Sequence, residues 1–401
     1  MTYEIFVSPV HRPASSAPDD SGPRPIDFHR LMPGYARTPL VEAPGIARAL
    51  GVARVFVKDE SSRLGLPSFK MLGASWATVQ AIGREWLGRP DEIIPLDEVR
   101  DAIPDREARG LAAATDVNHG RGVARMARLL GLRCAIFVPE GTAASRIADI
   151  EAEGASCEIV VGTYDDAIAR SAIEASENTI VVSDTSWDGY VVIPASVIRG
   201  YSTMFLEIDE AVHEHGLPAP TVVAFQAGVG SFAAAGLSHY RSNPNRDEPT
   251  TVIVEPTRAN CLMVSARAGA LATAPGPHPS TMAGLNCGLP SMLAWPTVYA
   301  ATDVYLAIDD DAAHRGMRML AEAGIVAGES GAASLGALLV VAEGPDEDRQ
   351  KVGLSTDAVV LIVNTEGATD PVNYLAQVGT SDEEIASEGG ERRKKAHASL
   401  R

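Results

Sequence analysis

The chain has 401 residues, of which 46% are hydrophobic and 21% are charged, and its formal net charge is −18. This much apolar material is enough for a sizeable core shared between two lobes. The negative net charge argues against nucleic acid as a partner, because it would repel the phosphates. No segment stays apolar for the roughly 18 residues that a membrane helix requires, so we expect no membrane partner.

The N-terminus and the cysteines lead to further expectations. The N-terminus lacks the charged leader, apolar run and cleavage site typical of a secretory signal, so we expect a cytoplasmic protein. The four cysteines show neither a CxxC pair nor metal-type spacing to histidines, which predicts buried free thiols and no metal site. Residues 1–26 and 380–401 are polar or charged without apolar periodicity, and we expect both to be mobile.

Short β-branched runs alternate along the chain with amphipathic stretches. Seven runs predict buried parallel strands, at residues 53–60, 132–140, 156–162, 179–184, 221–228, 250–256 and 358–365. The stretches between them predict crossover helices. The expected fold class is α/β, with two open, mostly parallel twisted sheets and helices on both faces. We expect a small domain at 111–195, inserted into a large domain formed by 27–110 and 196–379.

The segment VKDESSRLGLPSFK predicts a strand end followed by a helix that begins near Lys70. The positive partial charge of a helix N-terminus disfavours an ammonium, so the neutral amine that attacks a carbonyl carbon should be more accessible there. Taken alone, this motif fits an ordinary solvated lysine better than a nucleophile.

The segment ATDVNHG predicts another strand end and a helix entry whose amides can bind an anion. Asp116 could act there as a base or proton relay, and Asn118 could donate to a ring oxygen. Turn and cap formation explains both residues equally well.

The segment FQAGVGSF predicts a strand, a glycine turn and a helix that opens at Ser231. Gly228 and Gly230 allow close approach of the main chain, so the amides of Val229 to Phe232 and the Ser231 hydroxyl predict a phosphate cup. The spacing differs from a dinucleotide-binding fingerprint, because the third glycine comes only at Gly236.

Three more polar or glycine-containing turns follow apolar runs, where open α/β sheets place a ligand crevice. They contain Asp184, Glu329 and Glu366. Each acid has the alternative of capping a helix or stabilising a turn, and we favour Asp184 over the two glutamates as a functional group.

In their order, the motifs SFK, TDxNHG, SDTxWxGY, GVGS, GESG and NTEGATDP resemble those of the diaminopropionate ammonia-lyases. These are fold-type II pyridoxal-phosphate enzymes, related to the tryptophan synthase β chain and threonine dehydratase. The resemblance covers about residues 30–375. It implies pyridoxal 5'-phosphate as the cofactor, a tryptophan synthase β-like fold with the active site between a large and a small domain, a small amino-acid substrate and a homodimer.

The resemblance also implies roles toward the cofactor. Lys70 corresponds to the lysine that forms the Schiff base, Asn118 to the partner of the ring hydroxyl, and Thr365 to the hydroxyl that faces the pyridine nitrogen. The residues that correspond to the phosphate loop are Gly228, Val229, Gly230, Ser231 and Phe232.

Asp116 and Asp184 lie where the family places the acids that handle the substrate's α-proton and terminal amine. The resemblance implies that Asp116 takes or relays the proton of one enantiomer, and Lys70 or Asp184 that of the other. Val117 replaces a glycine that is usual in this loop, and a branched side chain there could narrow the pocket or alter substrate choice.

We therefore expect a lyase that eliminates ammonia from D- and/or L-2,3-diaminopropionate and gives pyruvate and two ammonia. The alternatives are a serine/threonine dehydratase-like enzyme or a β-replacement enzyme that acts on another small amino acid. A non-catalytic binding protein and a nucleotide-binding regulator are disfavoured by Lys70, because phosphate binding alone does not require it.

Overall fold

The computed structural model describes residues 2–10, 22–115, 118–241 and 247–398, in which eleven strands form two sheets. The strands are β1 (Tyr3–Val7), β2 (Leu40–Glu42), β3 (Arg54–Asp59), β4 (Gly110–Ala114), β5 (Arg133–Pro139), β6 (Ser156–Val160), β7 (Thr179–Val181), β8 (Val222–Gln226), β9 (Thr250–Pro256), β10 (Val304–Ile308) and β11 (Val359–Asn364).

The larger sheet has seven strands in the order β1-β10-β9-β8-β11-β3-β2. Its five inner strands are parallel to one another, and the edge strands β1 and β2 pair antiparallel. The smaller sheet has the order β6-β5-β4-β7 and is entirely parallel. The expected α/β class with two open, mostly parallel sheets is confirmed.

Seventeen α-helices connect or flank the strands in the described part of the chain, and none of them is long and apolar enough to cross a membrane. They are α1 (Pro25–His29), α2 (Pro44–Leu50), α3 (Lys70–Glu85), α4 (Leu96–Ala102), α5 (Asn118–Leu130), α6 (Ala144–Glu151), α7 (Tyr164–Ala172), α8 (Val192–Gly200), α9 (Ser202–His215), α10 (Ser231–Arg241), α11 (Cys261–Ala268), α12 (Trp295–Ala301), α13 (Asp310–Glu322), α14 (Glu329–Ala342), α15 (Asp346–Val352), α16 (Pro371–Val378) and α17 (Asp382–Ala398).

The inner strands of the large sheet are buried on both faces. In β11, Val360 and Ile362 enter one apolar core together with residues of α13 and α14. Leu361 and Val363 enter the other core, together with residues of α3 and α10. Because successive side chains of a strand point to opposite faces, a strand covered on both sides reads as a continuous apolar run. This is why the inner strand β11 was predictable from the sequence.

The structure contains strands that the sequence pattern did not predict, namely β1, β2 and β10. The edge strands β1 and β2 are only partly buried, which weakens their apolar signal. The five fully buried residues of β10 form a short run that periodicity cannot distinguish from a buried helix segment. Strand β1, which pairs along β10, and helix α17 lie within the two ends that we expected to be mobile, and the mobility of these ends stays a prediction.

All four strands of the small sheet lie between Gly110 and Val181. They fall almost entirely within the block 111–195 that was expected to form the small domain, while the limits of the domains stay a prediction. None of the four cysteines forms a disulfide. Cys134, Cys261 and Cys287 are buried as expected, and Cys157 is half-buried.

A buried ionic cluster lies beneath the loop that leads from β3 to α3. Glu207 of α9 accepts hydrogen bonds of 2.7 Å from Lys58 Nζ and from Arg63 Nη1 and Nη2. Arg63 also donates to Glu60, at 2.7 and 2.8 Å. Burial alone would raise the pKa of Glu207, but the Arg63 and Lys58 contacts outweigh it and hold that pKa well below its usual value. The cluster therefore anchors the loop that precedes Lys70.

Glu207→Gln is expected to lower the stability of the fold by about 3–5 kcal/mol, because it removes the carboxylate of the buried ion pair with Lys58, while Arg63 keeps only Glu60. The measurement is the urea unfolding midpoint at neutral pH. Glu214→Gln is the matched control, because Glu214 lies on the same helix and pairs with Arg37 where both side chains are partly exposed to solvent. Exposed pairs contribute little, so equal losses in the two variants would contradict the importance of the buried cluster.

Candidate active site

The residues identified in the sequence meet at the carboxyl ends of strands from both sheets. Strands β3, β8 and β11 contribute from the large sheet, and β4 and β7 from the small one. This edge is where open α/β sheets bind ligands. The pocket there is lined by residues that include Lys70, Asn118, Tyr164, Asp184, Gln226, Gly228, Val229, Gly230, Ser231, Phe232, Thr365 and Glu366.

Lys70 is the first residue of α3, as the motif predicted. Main-chain contacts hold the segment before it, because Phe69 N donates to Thr365 O at 3.2 Å. The Lys70 Nζ donates to Asp184 Oδ2 at 2.5 Å. The sequence led us to expect that the helix N-terminus favours the neutral amine, but an anion at this distance stabilises the ammonium instead. The ion pair therefore holds the Lys70 side chain at Asp184 in the pocket.

Asp184 is almost fully buried and follows β7. Its Oδ1 accepts a hydrogen bond from the Tyr164 hydroxyl at 2.9 Å. Burial alone would raise the pKa of Asp184, but the charges of Lys70 and His119, together with the Lys70 and Tyr164 hydrogen bonds, outweigh it. The net pKa lies well below the usual value, so Asp184 is a buried carboxylate.

The turn that carries Asp184 is held by the aromatic residues of the SDTxWxGY motif. The Tyr190 hydroxyl donates to Val181 O at 2.6 Å and accepts from Ser183 N at 3.1 Å. Its ring stacks on Trp187 with the ring centroids 4.1 Å apart. The Tyr190 hydroxyl therefore links the two ends of the turn, and the Trp187 ring supports it by stacking. This explains why aromatic residues accompany the acid in this motif.

The glycine turn between β8 and α10 has the shape of a phosphate cradle. A Cβ atom on Gly228 would lie 2.8 Å from Cys287 Sγ and 3.1 Å from Gly284 O, so a larger residue would clash. Gly230 has a φ of +96°, which favours glycine. The first amides of α10 lack partners within the helix and suit an anion. The Ser231 hydroxyl, which we expected to face the phosphate, instead donates to Asp184 O at 2.7 Å.

Asn118 and Glu366 form a second polar pair in the pocket. The Asn118 Nδ2 donates to Glu366 Oε2 at 2.5 Å, and Ser330 N donates to Glu366 Oε1 at 3.2 Å. Burial raises the pKa of Glu366, against the opposing charge of Arg146. An amide nitrogen carries two protons, so Asn118 retains a donor for a ring oxygen.

Glu329 begins α14, close to this pair. It accepts a hydrogen bond from Asn373 Nδ2, and burial raises its pKa. The interaction with a neighbouring helix fits the structural alternative that the sequence left open for this residue. Glu366, by contrast, lines the pocket itself.

The pocket fits pyridoxal phosphate by its donor set. It contains an amine on Lys70 for an aldehyde, a glycine cradle and helix N-terminus for a phosphate, and the side chains of Asn118 and Thr365 for the ring. In the described ranges of the chain, no group of three or more His, Cys, Asp or Glu side chains could hold a metal ion. The donor set of the pocket can bind a phosphorylated aldehyde.

The structure brings the predicted site residues that it describes into one pocket, whereas Asp116 and Val117 lie outside the described residues. Sequence reasoning missed several members of the pocket, among them the polar residues Tyr164 and Gln226. Gln226 had a usable signal, because it is a polar residue at the end of an apolar strand and directly before the glycine turn. Tyr164 had none, because it reaches Asp184 only through the folding of α7 against the small sheet.

Lys70→Met is expected to raise the pKa of Asp184 by removing its cation. In the native protein the depressed pKa means that the Asp184 carboxylate stabilises the fold above about pH 4, and that this contribution is lost as the pH falls through the lowered pKa. The native protein should therefore exceed the variant in thermal unfolding midpoint by more at about pH 7 than at about pH 3. In an Asp184→Asn background the Lys70→Met difference should no longer grow with pH, and persistent growth would contradict the assignment.

Comparison with known proteins agrees with this geometry. Residues 31–365 match the family model for pyridoxal-phosphate-dependent enzymes. The chain is 35% identical over 367 residues to the diaminopropionate ammonia-lyase of Escherichia coli (strain K12), which covers 90% of this chain and 91% of the relative. It is similar to the crystal structure of the Escherichia coli enzyme in complex with an aminoacrylate-PLP azomethine reaction intermediate, with a TM-score of 0.84, 33% identity and 94% and 97% coverage of the two chains.

A more distant similarity concerns the fold alone. Threonine deaminase isoform 2 from Solanum lycopersicum has a TM-score of 0.68 at 18% identity, covering 96% of this chain and 97% of that chain. The family resemblance of the ordered motifs is thus confirmed, as is the fold that it implied. The chain belongs to the pyridoxal-phosphate-dependent enzymes and, among them, to the diaminopropionate ammonia-lyase family.

Proposed function

We propose that this protein eliminates ammonia from 2,3-diaminopropionate and produces pyruvate and two ammonia. The observation that carries the proposal is the buried carboxylate of Asp184, 2.5 Å from Lys70 Nζ. A substrate whose leaving group is an ammonium needs an anion at this place, whereas the hydroxyl of serine or threonine does not. The diaminopropionate ammonia-lyases at 35% identity support the same substrate.

Pyridoxal phosphate, the cofactor of this family, supplies a conjugated ring that accepts the electrons released at the substrate's α-carbon. We propose that Lys70 Nζ binds its aldehyde carbon and that the amides of Gly228 to Phe232 hold its phosphate. Asn118 would hold its ring oxygen, and Thr365 would face its ring nitrogen. Asp184 lines the same pocket and would be available to the substrate.

The leaving amine and the α-proton each require a polar group of the protein. An amine departs only when it is protonated, because the amide ion is far too basic to leave, and the Asp184 carboxylate favours the ammonium form. Tyr164 holds that carboxylate through its 2.9 Å hydrogen bond. The Asp184 carboxylate, which binds the ammonium of Lys70 in this structure, could bind the ammonium of the substrate in its place. The enamine that remains after ammonia departs hydrolyses to pyruvate and the second ammonia.

The proposed proton acceptors differ between the two enantiomers of the substrate. Asp116, which lies between Thr115 and Asn118 in the chain, takes or relays the α-proton of one enantiomer. Lys70 or Asp184 serves the other, from the position that their ion pair defines. General acid–base groups of this kind contribute about 10²- to 10⁴-fold to the rate.

The homodimer implied by the family resemblance and the domain limits at 27–110, 111–195 and 196–379 belong to the same proposal. Sedimentation of the holoenzyme tests the first, and limited proteolysis at the two domain boundaries tests the second. The cytoplasmic location expected from the N-terminus stays a prediction.

The holoenzyme is expected to release pyruvate and ammonia from D- and/or L-2,3-diaminopropionate, with two ammonia for each pyruvate. Lys70→Ala should lose both this activity and the visible absorption of the bound cofactor, since the covalent attachment is gone. Turnover of serine or threonine without any turnover of diaminopropionate would favour a dehydratase. Cofactor absorption without pyruvate from either enantiomer would overturn the proposed substrate and leave the cofactor site intact.

Asp184→Asn and Asp116→Asn are each expected to retain the cofactor and to lower turnover by about 10²- to 10⁴-fold. The Asp116 variant should lose one enantiomer more strongly than the other. Asp188→Asn is the matched control, because it makes the same change at an exposed position in the same turn as Asp184. Native rates in both site variants with both enantiomers would show that the two acids have no such roles.

A further inference from the structure

A polar groove lies beside the active-site pocket, and neither the sequence motifs nor the proposed mechanism gives it a role. Its volume is about 620 Å³, which is within the range of ligand sites. Helices α6 and α7 border it on the side of the small sheet, and the segment 277–286 borders it on the side of the large sheet. The residues that line it include Arg146, Tyr164, Asn286, Glu329 and Asn373.

The groove adjoins the pocket along one short segment of the chain. Ala283 and Asn286 line the groove, whereas Gly284, Leu285 and Cys287 line the pocket. Tyr164, whose hydroxyl donates to Asp184, lines both. A molecule bound in the groove would therefore lie next to the pocket, on the side of Tyr164.

Arg146 brings an unused guanidinium to the groove from the first turn of α6. Its Nε atom is shielded from water and has no hydrogen-bond partner in the described part of the chain. Burial raises the pKa of Glu329 and Glu366, and the charge of Arg146 opposes this shift in both. A buried donor without a partner is costly, and the guanidinium fork matches a carboxylate. Arg146 therefore suits a carboxylate that enters the groove.

Asn286 brings an unused acceptor to the same groove. Its Nδ2 donates to Ser280 O at 2.7 Å, and this carbonyl fixes the orientation of the amide because a carbonyl oxygen cannot donate. The Oδ1 atom is also shielded from water, and within the described ranges it has no hydrogen-bond partner. An ammonium is the donor that complements such an acceptor.

The charges along the groove indicate the class of its ligand. Besides Arg146, the lining contains the carboxyl groups of Glu140, Glu329 and Asp370. A simple anion would meet these acids unfavourably. An amino acid presents a carboxylate and an ammonium together, and a diamino acid presents a second amine. The groove therefore fits an amino acid better than a simple anion.

We propose that the groove is an outer binding site for the amino-acid substrate. Arg146 binds its carboxylate and Asn286 Oδ1 accepts a hydrogen bond from an ammonium, before the substrate passes Tyr164 into the pocket. The inference rests on the proposed function for the identity of the substrate and goes beyond it by naming a second site. Charged groups that line the approach to a pocket raise the rate of encounter, so the site speeds entry and takes no part in the elimination.

The first test measures the binding of N,N-dimethylglycine to the holoenzyme by saturation-transfer NMR. This zwitterion keeps one N–H group, and its tertiary amine cannot form an imine with the cofactor. Arg146→Met should raise its dissociation constant at least about tenfold, because charge-assisted hydrogen bonds are lost. Arg146→Lys keeps the charge without the fork and should give a smaller rise. No binding to the native holoenzyme, or equal binding to the Met variant, would overturn the proposal.

Asn286→Ala tests the other end of the ligand and should raise the same dissociation constant about threefold or more. Arg170→Met is the matched control, because it removes a guanidinium from α7 that pairs with Glu158 and Glu174. The control should bind the zwitterion like the native holoenzyme. A loss in the control equal to that in Arg146→Met would assign the effect to net charge and overturn the proposal.

Rapid mixing of the holoenzyme with 2,3-diaminopropionate follows entry through the absorption of the cofactor. In Arg146→Met the second-order rate constant at low substrate should fall about tenfold, while kcat stays native. A merely structural role would lower kcat or the unfolding midpoint instead. Binding of N,N-dimethylglycine that depends on Arg146, without turnover of diaminopropionate, would overturn the proposed function alone. Turnover with entry and binding independent of Arg146 would overturn this inference alone.

Discussion

The active site depends on one short contact between an ammonium and a carboxylate that are largely removed from water. Lys70 follows a strand of the large sheet and Asp184 a strand of the small sheet, and their side chains are only 16% and 4% exposed. A buried charge without a partner is costly, so each group stabilises the other. The contact therefore exists only when the carboxyl ends of both sheets face each other. It also means that a site prepared for one ammonium can accept another in its place.

The same surroundings give neighbouring acids different ionisation. Asp184 and Glu366 are both buried, and burial raises the pKa of each. Asp184 has a cation at 2.5 Å, which reverses the shift, whereas the contacts of Glu366 include a neutral amide on Asn118 and leave its pKa raised. The pocket thus holds a carboxylate with a lowered pKa beside the amine of Lys70 and a carboxyl group with a raised pKa beside Asn118. This division is what an elimination requires, because only the leaving amine has to be held as a cation.

Much of the fold and of the site was predictable from the sequence, for reasons that differ among residues. The glycine turn stands directly after a buried strand, so local pattern located it, whereas Lys70 begins a helix after a longer loop and was identified by the order of motifs that gave the family. Tyr164 contacts Asp184 from a helix whose sequence has only the features of a capping box. The hydrogen bond of the Ser231 hydroxyl also joins segments that are distant in the sequence, because its acceptor is Asp184 O. Such contacts arise from tertiary packing, which periodicity does not report.

Main-chain hydrogen bonds explain how groups from such distant segments keep their spacing. Phe69 N donates to Thr365 O, and Ser68 forms an isolated antiparallel β-bridge with Glu366. The segment that carries Lys70 is therefore tied to the segment that carries Thr365. On the other side, the Ser231 hydroxyl joins the glycine turn to the main chain of Asp184. The segments that carry Lys70, Thr365, Asp184 and the glycine turn are thereby linked by hydrogen bonds to main-chain atoms. Precise placement of reacting groups is worth several kcal/mol in catalysis, and here it follows from how three strand ends are joined.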